Sequence, residues 1–433
     1  MEQIAAGVGE WHRRPAAAGA PAYAVKAQNA RTGPPPTMRK GGFPAGRDRC
    51  QHVPMRIVVA SIPAYGHLYP MMPLALAMAD AGHNLTVATG KPFVGRLPIT
   101  TAFGVPEHLD IDGAIQETRR RRPDVHGLDL TVAMFADTAP LVVATLLPLF
   151  EATRPDLVVF EAMNAGAGVA AGALGIPAVA FSIGLEGYLV GRLHADAMAY
   201  HADCWISRHR VPPVENPLLA MALIDPVPPI LRQPAGPPIH RLPIRPVPFS
   251  EAAGGVPAWL ATPAARQRVY LTLGTVSFGA VEVLRYAVSE IAALDVDVLV
   301  AVGPDGDPTA LGDVPANVHV ERFVSQPEIL PMMDLVIHHG GTGTVLAVLA
   351  AGLPQIILPQ GADQFVNSDI LCRIGAARVV RNDQHSAGTL RNSAQELLSG
   401  SSEQVIAARV QAEIAAMPAP KDVIPTLMNI AGG

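Results

Sequence analysis

The sequence lacks several features that mark large classes of protein. It has 32 Lys and Arg against 37 Asp and Glu, for a formal net charge of −5. There is therefore no basic surplus to neutralise the phosphates of a nucleic acid. The three cysteines, Cys50, Cys204 and Cys372, lie far apart, which matches neither a zinc site nor a disulfide framework. We expect a reducing, cytoplasmic location.

Long uninterrupted apolar runs are also missing. Residues 130–150 are interrupted by Asp137, Pro140 and Pro148, and residues 157–183 are interrupted by polar residues and proline. A membrane-spanning helix needs about 20 consecutive, predominantly apolar residues. Buried helices and strands are the better interpretation, without stable membrane insertion. The chain start lacks the apolar core of a signal peptide, so export is not expected.

Residues 1–54 differ in composition from the rest of the chain. Ala, Gly, Pro and Arg dominate, and large apolar residues are few. Such a segment cannot bury enough apolar surface to offset its ordering entropy, so it is predicted to be disordered. It is either a transit peptide or the product of a start codon assigned too far upstream, with Met38 or Met55 as the true start.

The segment after Met55 predicts a β-α-β unit. Residues 56–62 form a predicted strand, 63–70 a loop that contains His67, 71–81 a helix and 84–89 a second strand. A later apolar strand, 156–160, delivers Glu161 and Asn164 at its carboxyl end. The segment therefore predicts an α/β domain with polar side chains at the carboxyl edge of its sheet.

A proline-rich segment divides the chain. Prolines crowd residues 225–248, where no helix or central strand is expected to survive. A second alternation of strands and helices follows. We predict a first domain at 55–224, a linker at 225–255 and a second domain at 256–433.

The motif HHGGTGT at 338–344 is the strongest signal in the sequence. Apolar residues lead into it, and apolar residues at helical spacing follow it, so it predicts a strand, a tight turn and a helix. The N–H groups and dipole of that helix start favour a phosphate or diphosphate. The pattern is neither GxGxxG nor a Walker loop, so neither a nicotinamide site nor an ATP site is supported.

HHGGTGT, with Gly-Leu-Pro at 352–354, Pro359 and then Asp363-Gln364, resembles the nucleotide-sugar signature of family 1 glycosyltransferases, in the bacterial branch that decorates natural products. GHLYP at 66–70 resembles the opening of the same enzymes. The resemblance implies the α/β fold called GT-B, with two facing Rossmann-like domains and parallel sheets. The acceptor would bind in the first domain and the nucleotide sugar in the second.

The resemblance implies two catalytic residues on the acceptor side. His67 matches the general base, and its ordinary pKa near 6.5 suits proton transfer at neutral pH. Glu161 matches the acid that orients this base, a position more often occupied by aspartate. Two simpler interpretations remain: His67 caps the following helix, and Glu161 faces solvent. Asp137 is the second candidate for the orienting acid.

On the donor side, the resemblance implies contacts with each part of a nucleotide sugar. The predicted diphosphate-binding residues are His338, Gly340, Gly341, Thr342, Gly343, Thr344, Thr275 and Ser277, while His339 either binds or only packs. Asp363 and Gln364 would hydrogen-bond sugar hydroxyls. Phe323 either stacks on the base or belongs to the core, and Val324 would meet the base through its backbone.

The reaction implied is an inverting transfer of a sugar, with a dTDP-activated deoxysugar favoured over a UDP-sugar. The acceptor would be an apolar polyketide, enediyne or macrolide-like aglycone. No Asp-x-Asp lies in a suitable loop, so neither a metal nor a cofactor is expected beyond the nucleotide-sugar cosubstrate. A homodimer or a helper protein is compatible with the sequence. The rival functions are a catalytically silent binding protein and a lipid or cell-wall glycosyltransferase.

Apolar residues between the regular elements of the first domain have two interpretations. They either line an acceptor pocket or pack between helices. The residues concerned are Met134, Phe135, Tyr188, Met198, Tyr200 and Trp205.

Overall fold

The computed structural model describes residues 54–185, 220–232, 240–251, 255–274, 281–303 and 306–432. Residues 1–53 of the predicted disordered extension lie outside these ranges. Several predicted site residues also lie outside them, namely Thr275, Ser277, Tyr188, Met198, Tyr200 and Trp205.

Strands and helices alternate along most of the described chain. The strands are β1 (Arg56–Ala60), β2 (Asn84–Thr89), β3 (Thr101–Phe103), β4 (Leu157–Glu161), β5 (Ala178–Phe181), β6 (Leu223–Asp225), β7 (Arg241–Pro243), β8 (Gln267–Thr272), β9 (Val296–Ala301), β10 (Val318–Glu321), β11 (Leu335–His338), β12 (Gln355–Ile357) and β13 (Arg378–Val379). The helices are α1 (Tyr65–Leu68), α2 (Met72–Asp80), α3 (Ile111–Arg121), α4 (Gly127–Thr153), α5 (Ala165–Ala173), α6 (Val281–Ile291), α7 (Gln326–Ile329), α8 (Thr342–Ala350), α9 (Gln364–Ile374), α10 (Thr389–Leu398), α11 (Ser402–Ala416) and α12 (Pro420–Gly432).

Two parallel sheets organise the described residues, as predicted. The first has the order β3-β2-β1-β4-β5-β6-β7, and the second has the order β10-β9-β8-β11-β12-β13. Their central strands are continuous apolar runs; every residue of β4 is buried. This pattern is typical of parallel strands that are covered by helices on both faces. Each sheet therefore reverses its strand order once near its centre, between β1 and β4 and between β8 and β11.

The loop predicted at 63–70 is largely helical. Tyr65–Leu68 form α1, and the 3₁₀ turn Tyr69–Met71 joins it to α2. Pro70 occupies the first turn of that 3₁₀ segment, where its missing N–H removes no helical hydrogen bond. His67 is consequently held on a helical turn, which restricts its backbone more than a loop would.

The proline-rich segment contains an edge strand, which does not conflict with the expectation that no central strand survives there. β7 pairs in parallel with β6 and places Pro243 opposite Asp225. It lies at the edge of the first sheet, where a proline without an N–H interrupts no further strand. The first sheet thus extends to residue 243, beyond the boundary predicted at 224.

The last helix, α12, does not pack in the core around the second sheet, although the predicted second domain, residues 256–433, included it. Val423, Ile424 and Leu427 of α12 are buried in the same cluster as Ile57 of β1 and Leu74 of α2. Their spacing predicts an amphipathic helix, but the pattern does not reveal which core the helix will cover. The chain therefore returns to the first domain at its end.

Helix α4 is the apolar stretch predicted at 130–150. By length and composition it could cross a membrane, but most of its apolar window is buried. Val142, Leu146 and Phe150 pack in one core cluster with Val158 and Phe160 of β4. The expectation of a buried core helix is confirmed.

Candidate active site

The predicted site residues follow the strands at which the sheet order reverses. His67 comes after β1 and Glu161 ends β4, while His339 follows β11 next to β8. In open α/β sheets, ligands bind beyond the carboxyl ends of the strands at such reversal points. Both sheets thus offer a crevice at the position where the sequence motifs occur.

The structure brings His67 and Glu161 together. Nδ1 of His67 lies 3.2 Å from Oε1 of Glu161. The other carboxyl oxygen, Oε2, accepts a hydrogen bond of 2.8 Å from the N–H of Met163. The Glu161 side chain is 0% exposed, whereas that of His67 is 20% exposed. A buried carboxyl group, with a hydrogen-bond partner at each oxygen, therefore faces a histidine that remains partly exposed.

This contact determines what His67 can do. When Nδ1–H donates to Glu161, the lone pair of the ring is on Nε2. Among the described residues, none hydrogen-bonds Nε2. The ring of Phe135 lies 5.4 Å away, centroid to centroid. In that tautomer His67 presents a free Nε2. Because the Glu161 side chain is 0% exposed, the solvent-facing interpretation of Glu161 is wrong.

Asp137, the second candidate for the orienting acid, has another partner. Its Oδ1 accepts a hydrogen bond of 2.8 Å from Nη2 of Arg122. Met134 and Phe135, on the same helix, are buried in the core cluster that also contains Val158 and Phe160 of β4. Packing is thus the observed role of Met134, while Phe135 both packs and contacts the His67 ring.

An ionic and aromatic cluster supports the helical turn that carries His67. The hydroxyl of Tyr69 donates to Oε1 of Glu251 at 2.7 Å, and Arg96 donates to Oε2 at 2.8 Å. Burial and the nearby Glu251 carboxylate raise the pKa of the Tyr69 hydroxyl. The ring of Phe249 packs edge-on against Tyr69. Phe249 and Glu251 of the predicted linker are consequently held against the 3₁₀ turn that follows α1.

The glycine-rich turn exposes the start of α8. Gly341 is the N-cap of this helix and supplies no side-chain hydrogen bond to it. The N–H groups of Thr342, Gly343 and Thr344 therefore have no partner within the helix. A Cβ atom added at Gly343 would meet no atom within 4 Å. These three amides and the helix dipole form an open site suited to an anion.

His338 is enclosed and cannot contact a diphosphate, which corrects the sequence assignment. Its side chain is 0% exposed. Nδ1 accepts a hydrogen bond of 3.0 Å from the N–H of Gly340, and Nε2 donates to Oε1 of Gln355 at 2.8 Å. Burial lowers the pKa of His338 to about 4, and the bond with Gln355 opposes part of that shift. His338 is therefore a buried, neutral residue that stabilises the turn through its hydrogen bond with the Gly340 N–H.

His339, unlike His338, is only partly buried and lies on the side of the turn that faces the end of β8. Its ring lies between Gly274, after β8, and Gly341. A Cβ atom added to Gly274 would lie 2.6 Å from Cε1 of His339, and one added to Gly341 would lie 2.4 Å from Nε2 of His339. Nδ1 is buried without a hydrogen-bond partner in the described chain. Burial, and secondarily His338, lower the pKa of His339. The two glycines thus make room for this ring at the reversal point of the second sheet.

Asp363 and Gln364 lie beside the turn but are engaged differently. Oδ2 of Asp363 accepts a hydrogen bond of 2.8 Å from the Thr342 hydroxyl, so that hydroxyl is turned toward the protein. Oε1 of Gln364 accepts hydrogen bonds from the backbone N–H groups of Gln360 and Gly361. Of the two predicted sugar-binding residues, Asp363 therefore bonds the glycine-rich turn at residues 340–344, named the donor turn after its predicted role, whereas the side chain of Gln364 bonds the loop at residues 360–361.

The predicted base-binding residues follow β10. Val324 is 3% exposed and lies in a core cluster with Val336 and Val348, so only its backbone is available to a base. Phe323 is half-buried. Its stacking on a base stays a prediction.

Two polar residues at the donor turn were not found from the sequence. Gln355 bonds His338, and Nδ2 of Asn367 lies within hydrogen-bond distance of the Gly340 carbonyl oxygen, Oγ1 of Thr342 and Oδ2 of Asp363. Asn367 could have been found, because it follows Asp363 by four residues and therefore shares its helix face. For Gln355 the only signal in the sequence is that a polar residue begins an otherwise apolar strand.

Comparison with known proteins covers most of the chain. Residues 76–274 match the family model "Erythromycin biosynthesis protein CIII-like, N-terminal domain", and residues 285–430 match the corresponding C-terminal domain. The L-demethylnoviosyl transferase of Streptomyces niveus is 31% identical over 379 residues, which span 84% of this chain and 96% of that protein.

Two further proteins extend the similarity. The aclacinomycin-T 2-deoxy-L-fucose transferase of Streptomyces galilaeus is 27% identical over 427 residues, spanning 87% of this chain and 96% of that protein. The crystal structure of the glycosyltransferase VinC in complex with dTDP aligns with a TM-score of 0.73 and 26% identity, covering 87% of this chain and all of that one. The similarity therefore covers most of this chain and nearly all of each of the proteins compared.

Proposed function

Because this chain belongs to the family of erythromycin biosynthesis CIII-like glycosyltransferases, which have the GT-B fold, we propose that it is an inverting enzyme of secondary metabolism. It transfers a deoxysugar from a nucleoside diphosphate, dTDP rather than UDP, to a hydroxyl of an apolar natural-product aglycone. The observation that carries this proposal is the contact between His67 and the buried Glu161. It supplies the base that an acceptor hydroxyl requires.

The reaction is a single displacement. The acceptor hydroxyl gives its proton to Nε2 of His67 while its oxygen bonds to the anomeric carbon. The bond from that carbon to the diphosphate oxygen breaks, and the configuration inverts. Glu161 accepts the Nδ1–H of His67, fixes the tautomer and stabilises the imidazolium as it forms.

The donor turn receives the leaving diphosphate. The amides of Thr342, Gly343 and Thr344 and the dipole of α8 stabilise its negative charge. His339 replaces His338 as the histidine that contacts it. Because these groups supply the charge stabilisation, the proposal includes no metal ion. The proposed location is the cytoplasm, where nucleotide sugars serve as donors.

The relatives support the class of donor. One is named for transfer of 2-deoxy-L-fucose, and the similar VinC structure contains dTDP. Both names describe those proteins. They support a dTDP-activated deoxysugar here because each alignment covers 87% of this chain.

The test begins with the binding of dTDP and UDP, measured by isothermal titration calorimetry. We expect tighter binding of dTDP. Mass spectrometry then follows transfer from dTDP-sugars to a panel of apolar aglycones, with enzyme-free reactions as the control. A product heavier by one sugar residue supports the proposal. Failure to bind either nucleotide would contradict it, whereas a preference for UDP would contradict only the donor class.

A further inference from the structure

Asn367 occupies the centre of the hydrogen-bond network behind the donor turn. It lies in α9, one turn after Asp363, and is only 1% exposed. Its Nδ2 atom lies 2.9 Å from the Gly340 carbonyl oxygen, 3.0 Å from Oγ1 of Thr342 and 2.9 Å from Oδ2 of Asp363. A single buried amide therefore connects the glycine turn, the start of α8 and the carboxylate at the start of α9.

The donors in this network all approach one side of the Asp363 carboxylate. The Thr342 hydroxyl donates to Oδ2 at 2.8 Å, and Nδ2 of Asn367 approaches the same oxygen. In the part of the chain that the structure describes, no group donates to Oδ1. One carboxyl oxygen is thus held by the protein, and the other is left for a ligand.

We propose that Asn367 is a positioning residue for the sugar donor. It fixes the Asp363 carboxylate relative to the turn at Gly340 so that Oδ1 accepts a hydrogen bond from a hydroxyl of the transferred sugar. Asn367 itself touches no substrate. This inference rests on the proposed function, because it requires a nucleotide sugar at the turn.

The turn has supports that do not depend on Asn367. The N–H of Gly340 donates to His338, and the N–H of Val345 donates to the Gly341 carbonyl at 3.0 Å. The diphosphate-binding amides consequently stay in place when the Asn367 amide is removed. The expected loss falls on the sugar contact made through Asp363.

Ser368 offers a matched control on the same helix. It is 0% exposed, and its hydroxyl donates to the Gln364 carbonyl at 2.6 Å. It therefore makes a buried polar contact without bonding Asp363. Ser368→Ala removes a buried hydrogen bond of similar length and leaves the Asp363 carboxylate untouched.

The experiment is a double-mutant cycle read by calorimetry with two probes, dTDP and dTDP-glucose. The proteins are the wild type, Asn367→Ala, Asp363→Ala, the double variant and Ser368→Ala. We expect Asn367→Ala to raise the Kd of dTDP-glucose by roughly tenfold, the scale of one hydrogen bond to a charged group, and that of dTDP by less than about threefold. In the Asp363→Ala background, Asn367→Ala should add less than about threefold.

Three results would overturn the inference. They are equal losses for both probes, no loss in Asn367→Ala, and losses that add fully in the Asp363→Ala background. Asn367→Ser, which keeps a short polar group, is measured in parallel in case the alanine variant does not fold, and it should shift the two Kd values in the same unequal way. A wild type that binds neither probe would instead refute the proposed function.

Discussion

Nδ1 of His67 lies 3.2 Å from Oε1 of Glu161; His67 lies on α1, which follows β1, and Glu161 ends β4, the strand paired with β1. We expect His67→Ala to lower kcat for transfer by roughly 10²- to 10⁴-fold, the range of general base catalysis. The Kd of dTDP should stay unchanged, because the donor turn belongs to the other sheet. Product formation at saturating donor gives kcat, and calorimetry gives Kd.

Glu161→Gln provides the control for this pair. Glutamine keeps the size of the side chain but removes the charge that stabilises the imidazolium, so kcat should fall less than in His67→Ala. In the double variant His67→Ala/Glu161→Gln, the second change should add almost nothing, since Glu161 acts through His67. Near-normal transfer by His67→Ala would remove that residue from its role.

Substitutions at the two adjacent histidines of the turn should have different effects: one should weaken dTDP binding, and the other should lower the free energy of unfolding. We expect His339→Ala to weaken dTDP binding by roughly tenfold with little change in unfolding free energy. His338→Ala should instead lower that free energy by about 1–3 kcal/mol, because Gly340 and Gln355 lose a buried partner. Urea unfolding and calorimetry measure the two effects.

His338→Asn is the control for that comparison. Its amide oxygen lies near the position of Nδ1 and can accept the Gly340 N–H, so part of the lost stability should return. If His338→Ala lost dTDP affinity more than His339→Ala while unfolding normally, the assignment of the two histidines would be reversed.

The sequence predicted the central strands closely because each is a continuous apolar run. β4, for example, was predicted at 156–160, and it spans Leu157–Glu161. The sequence could not show which of His338 and His339 is fully buried. Successive side chains of a strand point to opposite faces, and the positive φ of Gly340 then redirects the chain. That choice depends on the packing of Gln355 and Gly274, residues distant in sequence.

Contacts between distant segments were also beyond the sequence. The pairing of His67 with Glu161 was an exception, because the family resemblance implied it. The packing of α12 on the first core was not predictable, since its apolar residues would suit either domain. Asn367 carried no motif of its own and gained its role only from the position of Asp363.

Two glycines of the donor turn should respond in opposite ways to alanine. At Gly343, an added Cβ meets no atom within 4 Å, and alanine stabilises a helix by up to about 1 kcal/mol over glycine. We therefore expect Gly343→Ala to unfold at a slightly higher temperature. The new methyl group should nevertheless weaken dTDP binding by roughly tenfold or more, because it projects from the open start of α8.

Gly341→Ala is the comparison for that variant. Its Cβ would lie 2.4 Å from Nε2 of His339, so it should reduce both the unfolding temperature and dTDP binding. Thermal unfolding without ligand and calorimetry with dTDP separate the effects. Normal dTDP binding by Gly343→Ala would show that no diphosphate approaches this turn.

Acid should destabilise the protein through His338. Burial holds its pKa at about 4 in the folded chain, whereas an unfolded histidine has a pKa near 6.5. Between these values the unfolded chain binds a proton that the folded chain does not, so the unfolding free energy falls as the pH decreases from about 6.5 to 4. Urea unfolding across this range should give a shallower pH dependence for His338→Asn, by up to one proton, than for the wild type. His108→Asn, at an exposed position, controls for the loss of a histidine. An identical slope for His338→Asn and the wild type would show that His338 is not the neutral, buried residue of the fold.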